Sequence, residues 1–440
     1  VRLGVQGPAA PQTVAPARRL AGSPTLPGDK SISHRALILT GISEGIQSIE
    51  GLSRGGDVLA TASVLRALGA AIPAIDPSGP VRVGPCPGLT EAEDVLDCGN
   101  AGTTMRLLAG LLAGQPFLSV LTGDGSLRSR PMARVLEPLR ALGAQVDGRD
   151  GGRKAPLVIR GGGLQGARHV SRVASAQVKS CLMLAMLNGE GTLVVDEPHR
   201  SRDHTERMLA ACGVELQVED TRVSLRGGQP LSPPPTLTVP TDLSAAAFFA
   251  VAAAIVPGSE LLLRDVGVNP TRTGLLDVLA QAGVDVEVAS ASESWGEPRA
   301  DLRVRAGLTA PLDVRGAVVP RLIDEIPVLA VLAARAPGRS VFADAADLRA
   351  KESDRIATTA AMLRAFGVAV QETDDGLIVD GDPDRPLSAG AVVDAHGDHR
   401  IAMAAAVAAL CAAGPATLRG VQAVDTSFPG FFATLDSLRA

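Results

Sequence analysis

Lys30, Arg35, Arg106 and Arg400 sit where cations are unfavourable. They lie in GDKSISHR (28–35), CGNAGTTMR (98–106) and GDHR (397–400), each at or near the start of an apolar helical pattern. A cation in a first helical turn opposes the positive end of the helix dipole, so something negative must offset it. Free main-chain N–H groups at a helix start are themselves anion-seeking. Further polar openings occur at SAQVKS (175–180) and RLIDE (321–325). Ser31 and Arg35 are four residues apart, as are Lys351 and Arg355 in KESDR, so each pair shares a helical face. For KESDR a solvated ion-pair ladder competes with a binding role. A helix terminus contributes about 0.3–1 kcal/mol and a hydrogen bond to a charged group about 1.5–3 kcal/mol, so arginines should dominate the anchoring of an anion. The stretch LPGDKSISHR is not a nucleotide P-loop, because Asp29 separates Gly28 from Lys30.

Such anion sites are local. The 440-residue chain is 46% apolar and 20% charged with a net charge of -5, which argues for a globular protein of two or more domains and against nucleic acid as a partner. The five cysteines are widely spaced without C-x-x-C pairing, so neither a disulfide framework nor a metal site is expected, and a reducing cytoplasm fits. The first residues, broken by Pro and Gly, lack the apolar core of a signal peptide. The longest apolar run, Leu243 to Val256, falls short of the roughly 20 residues of a spanning helix, so no membrane is implied.

The elements that position these residues repeat about every seventy residues. In one series a helical pattern stops at a glycine: Gly69, Gly143, Gly213, Gly283 and Gly367, each followed by a short strand-like stretch. A sixth copy, TSFPGFFATLDSLRA, reaches Ala440. In the other series a polar turn opens a helix that is apolar nearly all round, at Lys30, Asn100, Ser175, Asp242, Asp324 and Asp398. A helix apolar on every face must be buried. The expected fold is therefore α/β: two similar globular domains, each of three βαβαββ-type units with buried parallel helices, joined by a double hinge at LPGD and at LSPPPTLTVPTD. Domain I takes residues 1–29 and 242–440, and domain II takes residues 30–241. With parallel buried helices, the N-termini of each domain emerge together, and the two sets can face one another across a cleft.

PGDKSISHRAL, DCGNAGTTMRLL, LTGDGSLRSRPM, SAQVKS, the IDE of RLIDEIP, KESDR and GDHRIAM occur in the order and spacing of one family. The chain closely resembles the EPSP synthases over essentially its whole length. The resemblance implies two globules of three repeated units, a count reached above without it. It implies transfer of the enolpyruvyl group of phosphoenolpyruvate to the 5-hydroxyl of shikimate 3-phosphate, with release of phosphate, in the shikimate pathway of aromatic amino acid biosynthesis. It also implies a cytoplasmic monomer without metal or organic cofactor, whose partners are its two small-molecule substrates.

Residue by residue, the resemblance assigns Lys30, Ser31, Arg35, Ser175, Ala176, Gln177, Arg202, Asp324 and Lys351 to shikimate 3-phosphate. It assigns Lys30, Asn100, Gly102, Arg130, Gln177, Arg355, His399 and Arg400 to phosphoenolpyruvate. Domain II is thus the shikimate 3-phosphate side, and domain I carries the phosphoenolpyruvate side and the acid–base groups. Asp324 is the expected base for the hydroxyl, and Lys30 and Glu352 are both candidates for delivering a proton to C3. Arginines near Lys30 would disfavour its charged form and ease proton release. Where some members place a lysine near the C-terminus, this chain has Thr426. Gly102 leaves room in the phosphoenolpyruvate pocket, which makes competition by the phosphonate glyphosate an expectation. Two alternatives remain: a UDP-N-acetylglucosamine enolpyruvyl transferase, whose reactive cysteine is replaced here by Gly125, and a non-catalytic ligand-binding relative.

Overall fold

The glycine stops end helices as read. In the computed structural model, which describes residues 10–440, the outer helices Gly56–Ala67, Ala133–Ala141, His204–Ala211, Gly274–Gln281 and Arg355–Ala365 each run out just before one of them. All five glycines take positive φ, between 77° and 99°, the left-handed turn that a side chain disfavours. The sixth outer helix is Phe431–Ser437.

The inner helices are Lys30–Gly41, Gly102–Ala113, Ala176–Met186, Leu243–Ile255, Ile326–Ala334 and His399–Ala409. Every residue of Leu243–Ile255 and of Ile326–Ala334 is buried. Helices Gly102–Ala113 and Ala176–Met186 run parallel. Arg106 meets Gln177 near their starts, and a Cβ on Gly114 would fall 2.8 Å from the Ala185 carbonyl at their ends. Between these points a Cβ on Gly110 would lie 2.0 Å from the Cys181 carbonyl oxygen, so only glycine admits this approach.

Each repeat contributes one sheet. Leu96–Asp97, Leu118–Thr122, Lys154–Arg160 and Gln145–Gly148 lie side by side in that order. The first pair is parallel and is joined by the inner helix, because parallel neighbours need a crossover; the rest is antiparallel. The same order recurs in the sheets led by Arg168–Val170, Asp313–Val314 and Ala21–Gly22. The two remaining sheets have three strands: Thr236–Thr238, Gln47–Glu50 and Val81–Val83, and Val392–Asp394, Ala416–Arg419 and Gln12–Val14.

Those two sheets explain the domain plan. Thr236–Thr238 pairs in parallel with Gln47–Glu50, so one unit closes with its last strand beside its first. The other unit takes Ala21–Gly22 as leading strand for Glu260–Gly267, and Gln12–Val14 as last strand against Ala416–Arg419. Among the described residues, one unit comprises 10–27, Thr241–Ser292 and Arg299–Ala440; the other comprises Gly28–Pro240 and Glu293–Pro298. The passages fall at 27/28 and 240/241 rather than at the expected 29/30 and 241/242.

One stretch differs from the sequence reading, which put residues 293–298 in domain I. Trp295 is buried in the unit Gly28–Pro240, its indole N–H donating to the Thr236 carbonyl at 2.9 Å. Glu297, also buried, lies 2.8 Å from His204 Nδ1. An apolar ring and a buried polar pair hold the hairpin tip there.

Candidate active site

In the unit Gly28–Pro240 the starts of the three inner helices meet. Asp29 caps the first, accepting from the Ile32 N–H at 2.8 Å. The helices opening at Gly102 and Ala176 have no side-chain cap, and Ser175 keeps its hydroxyl out of the capping role its position would allow. Arg35 is buried. It donates from Nε to Thr205 Oγ1 at 2.7 Å, from Nη2 to Ser180 Oγ at 2.7 Å and from Nη1 to the Ser31 carbonyl at 2.9 Å. Burial pushes its pKa down to about 10, against the opposing pull of Glu206, Asp29 and Glu297. Arg202 is close enough for its charge to act in the same direction as burial.

Lys30 Nζ lies 3.0 Å from Asp57 Oδ2. A carboxylate at that distance favours the ammonium, which opposes the effect expected of nearby arginines. Asp57 went unassigned because it sits 27 residues away, in the outer-helix series.

Asn100 donates to Asp124 Oδ2 at 2.7 Å and accepts from Arg130 Nη2. Arg106 Nη1 donates to Gln177 Oε1 at 2.7 Å, and Gln177 Nε2 donates to Thr103 Oγ1 at 3.1 Å. A Cβ on Gly102 would stand 3.1 Å from Arg106 Nη1 and 3.2 Å from Arg130 Nη1. Glycine is what lets both guanidiniums lie over this helix start. Arg106, expected from its place at a helix start to face an anion, belongs to the constellation although the resemblance assigned it no contact, and Asp124 belongs to it with no role in the sequence reading.

The other unit gathers the acid–base candidates. Asp324 Oδ1 faces Arg355 Nη1 at 3.2 Å and Lys351 Nζ at 3.4 Å, neighbours that favour its carboxylate form. Arg355 is buried and also donates from Nε to Asp398 Oδ2 at 2.8 Å and from Nη2 to Glu352 Oε2 at 2.5 Å. Burial works against its charge, but Glu352, Asp398 and Asp324 together raise its pKa above the ordinary arginine value. Burial likewise opposes ionisation of Asp398, yet Arg355 and His399 outweigh it and hold the carboxyl below its usual range. Asp398 also caps its helix through the Arg400 N–H at 2.9 Å.

Arg400 Nη1 donates to the main-chain carbonyl of Asp324 at 2.8 Å and approaches Glu325 Oε1 at 3.4 Å. Glu325, fully buried, accepts from Ser244 Oγ, which accepts in turn from Arg272 Nη2 at 2.6 Å. Glu325 and Arg272 were missed. Their signals were the acid following Asp324 and the arginine of NPTR, both readable as helix-start decoration.

The expected phosphoenolpyruvate residues divide between the units, with Lys30, Asn100, Gly102, Arg130 and Gln177 in one and Arg355, His399 and Arg400 in the other. Thr426 donates to the Ala423 carbonyl at 2.7 Å within its own turn, so its hydroxyl is engaged locally. Among the described residues, no group of three or more His, Cys, Asp or Glu is placed to hold a metal ion, and no helix is long and apolar enough to cross a membrane.

Three-repeat α/β units whose helix starts present arginines, lysines and paired carboxylates define an enzyme built for anionic substrates. The chain belongs to the EPSP synthase family: the model for EPSP synthase (3-phosphoshikimate 1-carboxyvinyltransferase) matches residues 14–435. A 3-phosphoshikimate 1-carboxyvinyltransferase of Syntrophotalea carbinolica is 50% identical over 431 residues, covering 97% of this chain and 99% of that one. The corresponding protein of Synechococcus sp. (strain JA-3-3Ab) is 54% identical, covering 97% and 96%. An EPSP synthase structure from Acinetobacter baumannii superposes with a TM-score of 0.88 at 41% identity, covering 98% of each chain. The function is the family's carboxyvinyl transfer in the shikimate pathway, and the UDP-amino-sugar alternative finds no support in these relatives.

Proposed function

We propose that the residues assembled in the two units divide the reaction as follows. Arg35, Ser31, Ser175, Ala176, Gln177 and Arg202 bind shikimate 3-phosphate. Asn100, Gly102, Arg130, Arg355, His399 and Arg400 bind phosphoenolpyruvate, with Lys30 and Gln177 serving both substrates and Lys351 reaching the shikimate hydroxyls. Asp324 takes the proton of the 5-hydroxyl as that oxygen attacks C2 of phosphoenolpyruvate, and C3 receives a proton from Lys30. In the breakdown of the tetrahedral adduct the C3 methyl returns a proton to Lys30, and departing phosphate takes one from Asp324. The products are the enolpyruvyl ether and phosphate. The enzyme acts as a cytoplasmic monomer.

The observation that carries this reading is the paired environment of Asp324 and Lys30. Asp324 faces two cations, as an ionised base should, while Asp57 beside Lys30 favours its protonated form. Glu352 lies against Arg355, which favours its carboxylate and makes it the weaker candidate for proton delivery. Positioned acid–base groups contribute about 10²–10⁴ in rate, so orientation and cationic stabilisation supply much of the remainder.

A coupled phosphate-release assay tests the scheme. Phosphate should appear with shikimate 3-phosphate and phosphoenolpyruvate, and not when UDP-N-acetylglucosamine replaces the shikimate. Glu352→Gln should keep more turnover than Lys30→Met. The reverse order would move proton delivery to Glu352.

A further inference from the structure

Lys179 is the single charged side chain in the helix Ala176–Met186, and it is 2% exposed. Its Nζ lies 2.7 Å from Glu197 Oε2 and 2.7 Å from Glu206 Oε1, with both carboxylates also buried. Burial works against the ammonium, but Glu206 and Glu197 outweigh it and raise its pKa above the ordinary lysine value. Such a triad is not explained by stability. Desolvating three charges is expensive, and apolar replacements of similar volume are often neutral or stabilising.

What the triad touches gives it a purpose. Glu197 Oε1 accepts from the main-chain N–H of Ser175 at 3.1 Å, and Oε2 accepts from the Ser201 hydroxyl at 2.9 Å and from the Ser201 N–H at 3.4 Å. One carboxylate thereby joins the residue before the uncapped helix to the residue before Arg202. Glu206 follows Thr205, whose Oγ1 accepts from Arg35 and meets Ser180 Oγ at 2.6 Å. Ser180 in turn directly follows Lys179.

We propose that Glu197, held by Lys179, is a positioning residue for shikimate 3-phosphate. It fixes Ser175 and the Ser201–Arg202 segment in the one register that lets both reach the substrate. Lys179 and Glu206 extend that lock to Arg35 through Ser180 and Thr205. None of the three triad members touches substrate. The proposal rests on the assignment of Ser175, Arg202 and Arg35 to shikimate 3-phosphate made above.

The test measures affinity for each substrate by titration calorimetry and steady-state kinetics on the full chain, with melting temperature as the check on folding. Glu197→Gln keeps shape but weakens both links, and a charged hydrogen bond of about 1.5–3 kcal/mol corresponds to a loss of about tenfold or more in shikimate 3-phosphate affinity. Phosphoenolpyruvate KM should stay unchanged. Ser175→Ala, which removes a proposed direct contact, is the control. If Ser175→Ala weakens shikimate 3-phosphate and folded Glu197→Gln does not, the positioning role is overturned. If neither variant weakens it, the substrate assignment fails and takes the proposal with it. A parallel loss for both substrates would mark the triad as merely structural and also overturn the proposal. Should Glu197→Gln not fold, Ser201→Ala decides, because it removes one link without disturbing a buried charge. Selective loss of shikimate 3-phosphate binding supports the role, and unchanged binding overturns it.

Discussion

Arg400 is tied to Asp324 through the backbone: its Nη1 donates to the Asp324 carbonyl oxygen at 2.8 Å, while the Asp324 side chain faces Arg355 and Lys351. The guanidinium is therefore set by where residue 324 lies and not by its side-chain charge. For Arg400, anchoring an anion is thus mechanically separate from the proton-accepting role proposed for Asp324, whereas Arg355 contacts the carboxylate itself.

Asp324→Asn should exploit that separation. It leaves the carbonyl that holds Arg400 in place and keeps a side-chain oxygen for Arg355, so KM for phosphoenolpyruvate should change far less than kcat, which falls by about 10²–10⁴. Steady-state phosphate release reads both parameters, and near-normal kcat would remove Asp324 from the mechanism.

Gly102→Ala would put a methyl 3.1 Å and 3.2 Å from the Nη1 atoms of Arg106 and Arg130. Overpacking costs about 1–3 kcal/mol, so KM for phosphoenolpyruvate should rise about fivefold or more if the arginines must retreat. Glyphosate, tested as a competitor of phosphoenolpyruvate, should inhibit the wild type and inhibit the variant less. Unchanged KM would show that the two guanidiniums relax without loss.

Arg355 is buried against Asp398, itself fully buried. Arg355→Met should lower the stability of its unit by about 3–5 kcal/mol, because the carboxylate is left uncompensated. Arg355→Lys restores charge without the two-pronged geometry and should fall between the two. Urea unfolding midpoints rank the three proteins, and a Met variant as stable as wild type would contradict the assignment of Asp398 as a charged, Arg355-dependent group.

His34 gives a pH signature. It is wholly buried, its Nδ1 2.7 Å from Thr61 Oγ1 and its Nε2 without a hydrogen-bond partner, and burial pushes its pKa from 6.5 down to about 3. Below pH 6.5 the unfolded chain takes up a proton that the folded chain refuses, so stability is full above that pH and declines as pH falls toward 3. Between pH 7 and pH 5 the loss should be about 2 kcal/mol, and His34→Asn should remove that part of the slope. Asp398, depressed in the folded state, acts in the same direction only below its ordinary value of 3.8, outside this window. Urea unfolding at the two pH values measures it, and equal slopes in both proteins would show that His34 is not the group responsible.

Periodicity carried the fold a long way. Glycine stops, all-apolar helices and their shared period are local signals, since each reflects what one turn of chain requires of its own residues. The motif residues were legible for the same reason. Asp57, Asp124, Glu325 and Arg272 were not, because each looks like an ordinary helix-start residue until a partner far along the chain is set beside it. The tip Glu293–Pro298 was misplaced on the same grounds: nothing local tells a hairpin turn which unit will bury its tryptophan.

The order of residues determined the number of repeats, the kind of helix each contains and the chemical types at its start, all consequences of backbone conformation and apolar spacing. Only the tertiary structure decided that Lys30 would meet a carboxylate, that Arg400 would hold a carbonyl and that Lys179 would bridge two glutamates. Charge pairing depends on distances of about 3–4 Å between side chains. Such distances are set by how helices and sheets pack, and no spacing along the chain records them.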